Sequence, residues 1–221
     1  MFTHIGSPVE LPTLKATTTT NGRTYRTPDG SEYPSITTVL GQAPKPWLAD
    51  WTKMLGVEKA KKETKRCTDR GTAVHEMAEQ FLNNVENPTK GYHADHIKCF
   101  NQLKFKLRGV DNIRMQEAGL YSDTLKVAGR VDCVGEYNGK LAIIDLKTSN
   151  NNKDRDMIED YFLQCTAYAI MWCELTGEAI TNIAILMAVE QGMVPLVFED
   201  TIDKYIEPLL VRIDEFYRNH K

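Results

Sequence analysis

Glu136-Tyr137-Asn138-Gly139-Lys140-Leu141 joins two apolar runs, Val127 to Tyr137 and Lys140 to Lys147, and its reading decides the fold. Asn-Gly at the centre of such a stretch favours a two-residue type I′ turn, whose two central residues both need positive φ. That turn fixes a register in which Tyr137 pairs with Lys140. Counting outward, Asp132 falls directly opposite Asp145 in a non-hydrogen-bonded pair, where Cβ atoms approach to about 4.5–5.5 Å. Like charges so placed destabilise a sheet, and Val131, Val134, Ile143, Ile144 and Leu146 leave little water to relieve them. A cation must compensate. Period-two alternation puts Lys147 on the face of Asp145, with Leu146 on the other. Paired carboxylates are hard oxygen donors that suit Mg²⁺ or Mn²⁺. The alternative is a salt-bridge network in which both carboxylates bridge Lys147 and Arg130, which fits a sheet edge better than a central hairpin.

Working outward, a first strand is expected at Met115 to Ser122. After the hairpin come a helix near Tyr161 to Leu175, strands near Ile183 to Val189 and Val194 to Phe198, and a last helix from Ile202 to Arg218. Upstream, residues 1–30 are rich in Thr, Gly and Pro and read as an extended or hairpin-like lead-in. Ser35 is placed to cap a short helix that Pro44 and Pro46 close. Trp47 opens the next, basic helix. Asp69-Arg70-Gly71 then punctuates the chain before a helix over Thr72 to Leu82 that carries His75, and a further helix runs from about Ala94 to Arg108. This order predicts an α/β fold with a central mixed β-sheet flanked by helices on both faces. The expected organisation is a lead-in over 1–32 and one domain over 33–221, mainly helical over 33–110 and carrying the paired carboxylates over 111–221.

The 221 residues, 42% hydrophobic, suffice for one well-buried domain. No stretch approaches the roughly 20 apolar residues of a membrane span, and the first 30 lack a secretory pattern. With no Arg-rich, acid-poor segment ahead of Tyr33, the expected compartment is the cytoplasm of a bacterial or phage-infected cell. Cys67, Cys99, Cys133, Cys165 and Cys173 are odd in number and scattered, so they read as reduced thiols.

The net charge of −3 argues against coating nucleic acid by bulk electrostatics. Locally, eight basic residues face four acidic ones between Lys45 and Arg70, and Lys98, Lys104, Lys106 and Arg108 add a second basic run. Such runs are usually solvated helix faces. Two of them flanking one candidate site predict a groove that tracks phosphates, with Lys65, Arg66 and Arg70 as contacts. Trp47 and Trp51, at i and i+4, share a helix face and are expected in the core, as paired aromatics usually are. Their alternative role is a base-stacking platform for a single strand, with Trp47, Trp51 or Tyr33 as the stacking aromatics. His93, Asp95 and His96 read as a solvated loop rather than a second metal site. The absence of G-x-x-x-x-G-K-[ST] predicts no ATP motor.

Gly129-Arg130-Val131-Asp132 followed by Ile143-Ile144-Asp145-Leu146-Lys147-Thr148-Ser149 resembles the core of the PD-(D/E)XK nuclease superfamily, in its RecB-like exonuclease branch. Gly71-Thr72-Ala73-Val74-His75-Glu76 resembles the helix that supplies a metal-binding histidine there. Gln164-Cys165-Thr166-Ala167-Tyr168 resembles the branch's Q-x-x-x-Y motif. The resemblance runs from about residue 33 to the C-terminus and implies a restriction-endonuclease-like core. It makes His75, Asp132 and Asp145 metal ligands, with the backbone carbonyl of Leu146 as another. Lys147 would orient or activate the attacking water, and Gln164 and Tyr168 would hold Lys147 or the DNA backbone. Glu117 falls where the family often has an acidic residue on the first strand, and it is grouped with Ser35 and Tyr168 among residues expected near the DNA. Val131 stands where the motif's name has proline, with its side chain facing away. Some relatives hold an iron–sulphur cluster, but Cys165 and Cys173 do not provide the closely spaced set, so none is expected.

The activity implied is Mg²⁺- or Mn²⁺-dependent hydrolysis of DNA, as an exonuclease of single-stranded ends in replication, repair or recombination. The chain would work as a monomer beside replication or recombination proteins. The alternatives are an endonuclease of the same fold and a non-catalytic DNA-binding platform. Intact Asp132, Asp145 and Lys147 argue against the platform.

Overall fold

A computed structural model describes residues 1–220. The lead-in forms a small antiparallel sheet of β1 (Lys15–Thr19), β2 (Gly22–Arg26) and β3 (Glu32–Pro34). Strand β3 crosses the boundary expected at residue 32, and Ser35 bridges to Ala128 in the main sheet, so the lead-in is built onto the domain. Ser35 then caps α1 (Ile36–Leu40), its hydroxyl accepting from the Thr38 N–H at 3.0 Å.

Helix α2 (Pro46–Leu55) is followed by α3 (Val57–Leu82), and the expected break at Asp69-Arg70-Gly71 does not occur. A glycine inside a helix costs about 1 kcal/mol relative to alanine. Burial of Ala73, Val74, Met77, Ala78 and Leu82 on the same helix outweighs that cost. Next come α4 (Ala94–Leu107), β4 (Val110–Ser122), β5 (Val127–Tyr137), β6 (Lys140–Ser149), α5 (Glu159–Thr176), β7 (Asn182–Val189), β8 (Leu196–Thr201) and α6 (Ile206–Asn219).

The Asn138-Gly139 turn forms with φ of 51° and 79°, and Tyr137 pairs with Lys140. Strand order is β4-β5-β6-β7-β8, antiparallel except for the β6–β7 pair, which α5 connects as a crossover. The sheet is mixed and covered on both faces. One core gathers α1, α5 and α6 against Val131, Val134, Ile143 and Ile185; the other gathers α3 and α4 against Cys133, Ile144, Leu146 and Leu186. The hairpin strands β5 and β6 are therefore central, with α3 on one side and α5 on the other.

Alternation along β5 is not strict. Val131 and Cys133 lie two residues apart yet pack into opposite cores, and Cys133 and Val134 then alternate normally. The phase slips by one residue at Asp132. The β5–β6 ladder ends at Cys133–Ile144, so the direct Asp132–Asp145 pairing expected from the register is not made. The Asp132 carboxylate is the reason: its Oδ2 accepts the Leu146 backbone N–H at 2.7 Å, displacing the backbone acceptor that a continued ladder would supply.

Candidate active site

Asp132 is also skipped by the ladder on its other side. Gln116 pairs with Cys133 and Ala118 with Val131, which leaves Glu117 across from Asp132 with no ladder pairing between them. Glu117 takes φ of 48°, a left-handed conformation a non-glycine strand residue rarely adopts, and such strain concentrates at functional positions. The sheet thus opens at one point, with Glu117 on β4, Asp132 on β5 and Asp145 on β6.

Helix α3 delivers His75 to that opening. Its Nδ1 lies 3.4 Å from Asp132 Oδ1, and ligand atoms of His75, Glu117 and Asp132 all fall within 4.8 Å of one another. From the α5 side, Gln164 Nε2 donates to Asp145 Oδ1 at 3.3 Å and to the Tyr168 hydroxyl at 3.2 Å. Lys147 Nζ lies 2.5 Å from Asp145 Oδ2. The ammonium compensates the charge of this buried oxygen, which has no further donor among the described residues. Lys147 also sits 5.0 Å from the centroid of the Tyr161 ring, a cation–π contact that the sequence did not suggest.

Glu117, Asp132 and Asp145 face His75 and Lys147, with the Arg130 guanidinium 3.5 Å from Glu117 at the rim, and burial together with these charges sets the titration behaviour. Burial pushes the Glu117 carboxyl up, the Asp132 charge adds to it, and the group reaches about 7. Burial likewise lifts Asp145 to about 6, with Asp132 contributing against the opposing pull of Lys147. Burial alone would lower His75, but Asp132 outweighs it and raises the imidazole to about 9. For Asp132 itself burial acts upward, and His75 wins, holding it below its usual value. Lys147 is raised, since Asp145 and Asp132 overcome its desolvation, and so it stays charged. Both members of the Lys147–Asp145 pair move up together, Asp145 chiefly through burial and Lys147 through the carboxylates beside it.

These groups suit a divalent cation. Two carboxylates and one imidazole converge beside the buried Asp145, so a positive ion would relieve both repulsion and desolvation. Glu117, grouped with DNA contacts from the sequence, stands in this cluster instead. Leu146 contributes its N–H to Asp132, and its side chain is buried in the α3 and α4 core.

The residues expected to meet DNA divide. Arg70 is 2% exposed and donates from Nη1 to Glu190 at 2.6 Å, so it is a buried ion-pair residue rather than a surface contact. Ser35 is also buried, as a helix cap. Arg66 is tied to Glu63 and Glu190, and Lys65 to Asp69. Tyr168 is buried beneath the site. Trp47, expected in the core with Trp51, is 64% exposed, because α2 meets the rest of the chain chiefly through α3. His93 and Asp95 are exposed, and neither joins the metal-binding cluster. The five cysteines are all free thiols.

A model of the PD-(D/E)XK nuclease superfamily matches residues 92–204, and the chain belongs to that superfamily. The matched stretch holds Glu117, Asp132, Asp145, Lys147 and Gln164; His75 precedes it. Over 213 residues the chain is 26% identical to mitochondrial genome maintenance exonuclease 1 of Mus musculus, covering 85% of this chain and 60% of the mouse protein. It is 31% identical over 148 residues to the Homo sapiens protein of that name, covering 61% and 42%. The Xenopus tropicalis protein is 27% identical over 146 residues. The chain therefore spans about half the length of these relatives. They are mitochondrial proteins of eukaryotes, which overturns the expectation of a bacterial or phage cytoplasmic protein. That expectation rested on composition ahead of Tyr33, which carries no information about origin.

Proposed function

We propose that the chain is a metal-dependent deoxyribonuclease that hydrolyses phosphodiester bonds of single-stranded DNA from free ends. The observation that carries this reading is the meeting of His75, Glu117 and Asp132 beside the Asp145–Lys147 pair, at the point where both ladders of the central strand open. The names of the relatives, exonucleases of genome maintenance, support action at ends.

His75, Glu117, Asp132 and Asp145 would hold the metal, with the Leu146 carbonyl as a further candidate. A bound Mg²⁺ or Mn²⁺ supplies charge against the phosphoryl oxygens and lowers the pKa of a coordinated water. Lys147, kept charged by the carboxylates and steadied by the Tyr161 ring, binds the attacking water or a phosphate oxygen by its ammonium. Gln164 fixes the Asp145 carboxylate from behind, and Tyr168 fixes Gln164.

The test is incubation with end-labelled linear single-stranded DNA and a matched circle, in Mg²⁺, Mn²⁺ or EDTA. The expected result is metal-dependent loss of the linear strand alone, abolished in Asp145→Ala with folding retained. Cutting of the circle at a comparable rate makes the chain an endonuclease, and activity surviving Asp145→Ala removes the site assignment.

A further inference from the structure

Between α2 and the loop that follows β6 lies a cleft of about 640 Å³. Its size falls among pockets that take small organic ligands, roughly 300–1,000 Å³. Trp47 and Trp51 line one wall, one helical turn apart. Asn151, Asn152 and Lys153 line another, and Tyr161 lies where the cleft approaches the catalytic lysine. The same tyrosine ring has Lys147 Nζ at 5.0 Å and Lys153 Nζ at 5.9 Å from its centroid. Tyr161 thus stands between the cleft and the candidate active site.

Three features of this cleft point to one kind of occupant. A tryptophan left 64% exposed beside a second one is apolar aromatic surface that the fold does not use. Asn151 and Asn152 are exposed amides, each offering both donor and acceptor. The acid on the lining, Glu63, is held by Arg66 and by the Asn150 amide, so an entering anion meets lysine charge without a competing unpaired carboxylate. Flat aromatic faces, amide edges and a positive rim together fit a nucleotide whose base is stacked and whose phosphate is exposed.

We propose that this cleft is a nucleobase subsite, which takes an unpaired base of the substrate strand close to the scissile phosphate and stacks it on Trp51 and Trp47. The proposal rests on the nuclease reading above. A base inside a duplex has both faces and its pairing edge covered, so it cannot enter. The subsite thereby makes the enzyme select strands that are single at this position, a preference the metal site alone does not impose. Base–aromatic stacking of this type changes affinity by about 5- to 150-fold per ring removed.

The experiment measures binding of a labelled single-stranded oligonucleotide by fluorescence anisotropy in EDTA, where no cleavage occurs. It uses the wild-type chain, Trp51→Ala, Trp51→Phe and Trp47→Ala, and oligonucleotides with one abasic position walked along the strand. The expected result is about 5- to 150-fold weaker binding by Trp51→Ala, with most of it restored in Trp51→Phe. One abasic position should reproduce the loss, and combining it with Trp51→Ala should add little more. If Trp51→Ala does not fold, Trp47→Ala decides in its place, because its ring is largely in solvent. Wild-type affinity in the folded alanine variants, or equal binding at every abasic position, overturns the subsite. Wild-type cleavage of linear DNA alongside that result leaves the nuclease reading standing, whereas a wild-type chain that neither binds nor cuts overturns both.

Discussion

Replacing Gly129 by alanine should cost stability and turnover together. A Cβ on Gly129 would lie 2.6 Å from Tyr168 Cε1, 3.0 Å from its hydroxyl and 3.2 Å from Cζ, so something must shift. Tyr168 is 2% exposed and cannot swing into water, which leaves the ring's own core neighbours or strand β5 to yield. Overpacking of that kind costs about 1–3 kcal/mol. For a chain of this length the melting temperature should fall by roughly 2–12 °C. The displacement then reaches the chemistry through hydrogen bonds. Gln164 reaches both Tyr168 and Asp145 through Nε2, at 3.2 and 3.3 Å, so a shifted ring moves the carboxylate's support. A misplacement of about 1 Å at such a position lowers turnover by up to a hundredfold. Thermal unfolding and initial rates on labelled single-stranded DNA measure both effects. Tyr168→Leu in the Gly129→Ala background removes the clashing ring and should recover part of the lost melting temperature but not the activity; Tyr168→Phe keeps the ring and should recover neither. Melting temperature and turnover equal to wild type in Gly129→Ala would refute the reasoning.

The site should also respond to pH in a definite direction. Glu117 and Asp145, at about 7 and about 6, lie above their ordinary 4.5 and 3.8, and His75, at about 9, lies above 6.5. The folded metal-free chain therefore binds more of these protons than the unfolded one, and this contribution to stability falls as pH rises from about 4 to about 9. Metal must displace the same protons, so Mn²⁺ affinity should climb over pH 6 to 9 with proton release seen by calorimetry, and a flat profile would contradict it. Glu63, held near 2 chiefly by Arg66, has the opposite sign. Its contribution is complete above about 4.5 and disappears as pH falls toward 2, so Glu63→Gln should flatten the urea midpoint over that window. Glu190→Gln should leave the Arg70 charge buried without its partner. The cost expected is near the low end of roughly 3–5 kcal/mol, because Glu190 keeps 24% exposure, and equilibrium unfolding would show it.

The hairpin was legible because its information is local. Asn-Gly sets the turn, the turn sets the register, and the observed pairing follows that register from Tyr137–Lys140 to Cys133–Ile144. Long-range pairing was not legible: nothing in the sequence near Arg66 or Arg70 announces Glu190, more than a hundred residues away, and so two arginines read as DNA contacts are neutralised within the fold. The tryptophan pair shows a different gap. Spacing puts Trp47 and Trp51 on one helix face, but it does not say which face meets the core. Leu48, Met54 and Leu55 make α2 apolar beyond a single stripe, and that was a warning that part of it would stay uncovered.

Asp132 carries the most general of these gaps. Strict alternation assumes that every strand residue gives its backbone to the ladder, whereas a short carboxylate can take a neighbouring N–H for itself, as Asp132 takes that of Leu146. The apolar doublet Cys133-Val134 is compatible with either phase in a sheet covered on both faces, so the slip leaves no mark in hydrophobicity. Glu117 is hidden for a related reason, since its φ of 48° is imposed by the surrounding sheet and not by residue type. Both departures fall at one level of the sheet, beside His75 and Asp145. A regular ladder would have satisfied the backbone and turned these side chains alternately into two dry cores. Opening it at Asp132 instead brings carboxylates from adjacent strands toward one point, so the place where the alternation rule fails is the place where the chemistry becomes possible.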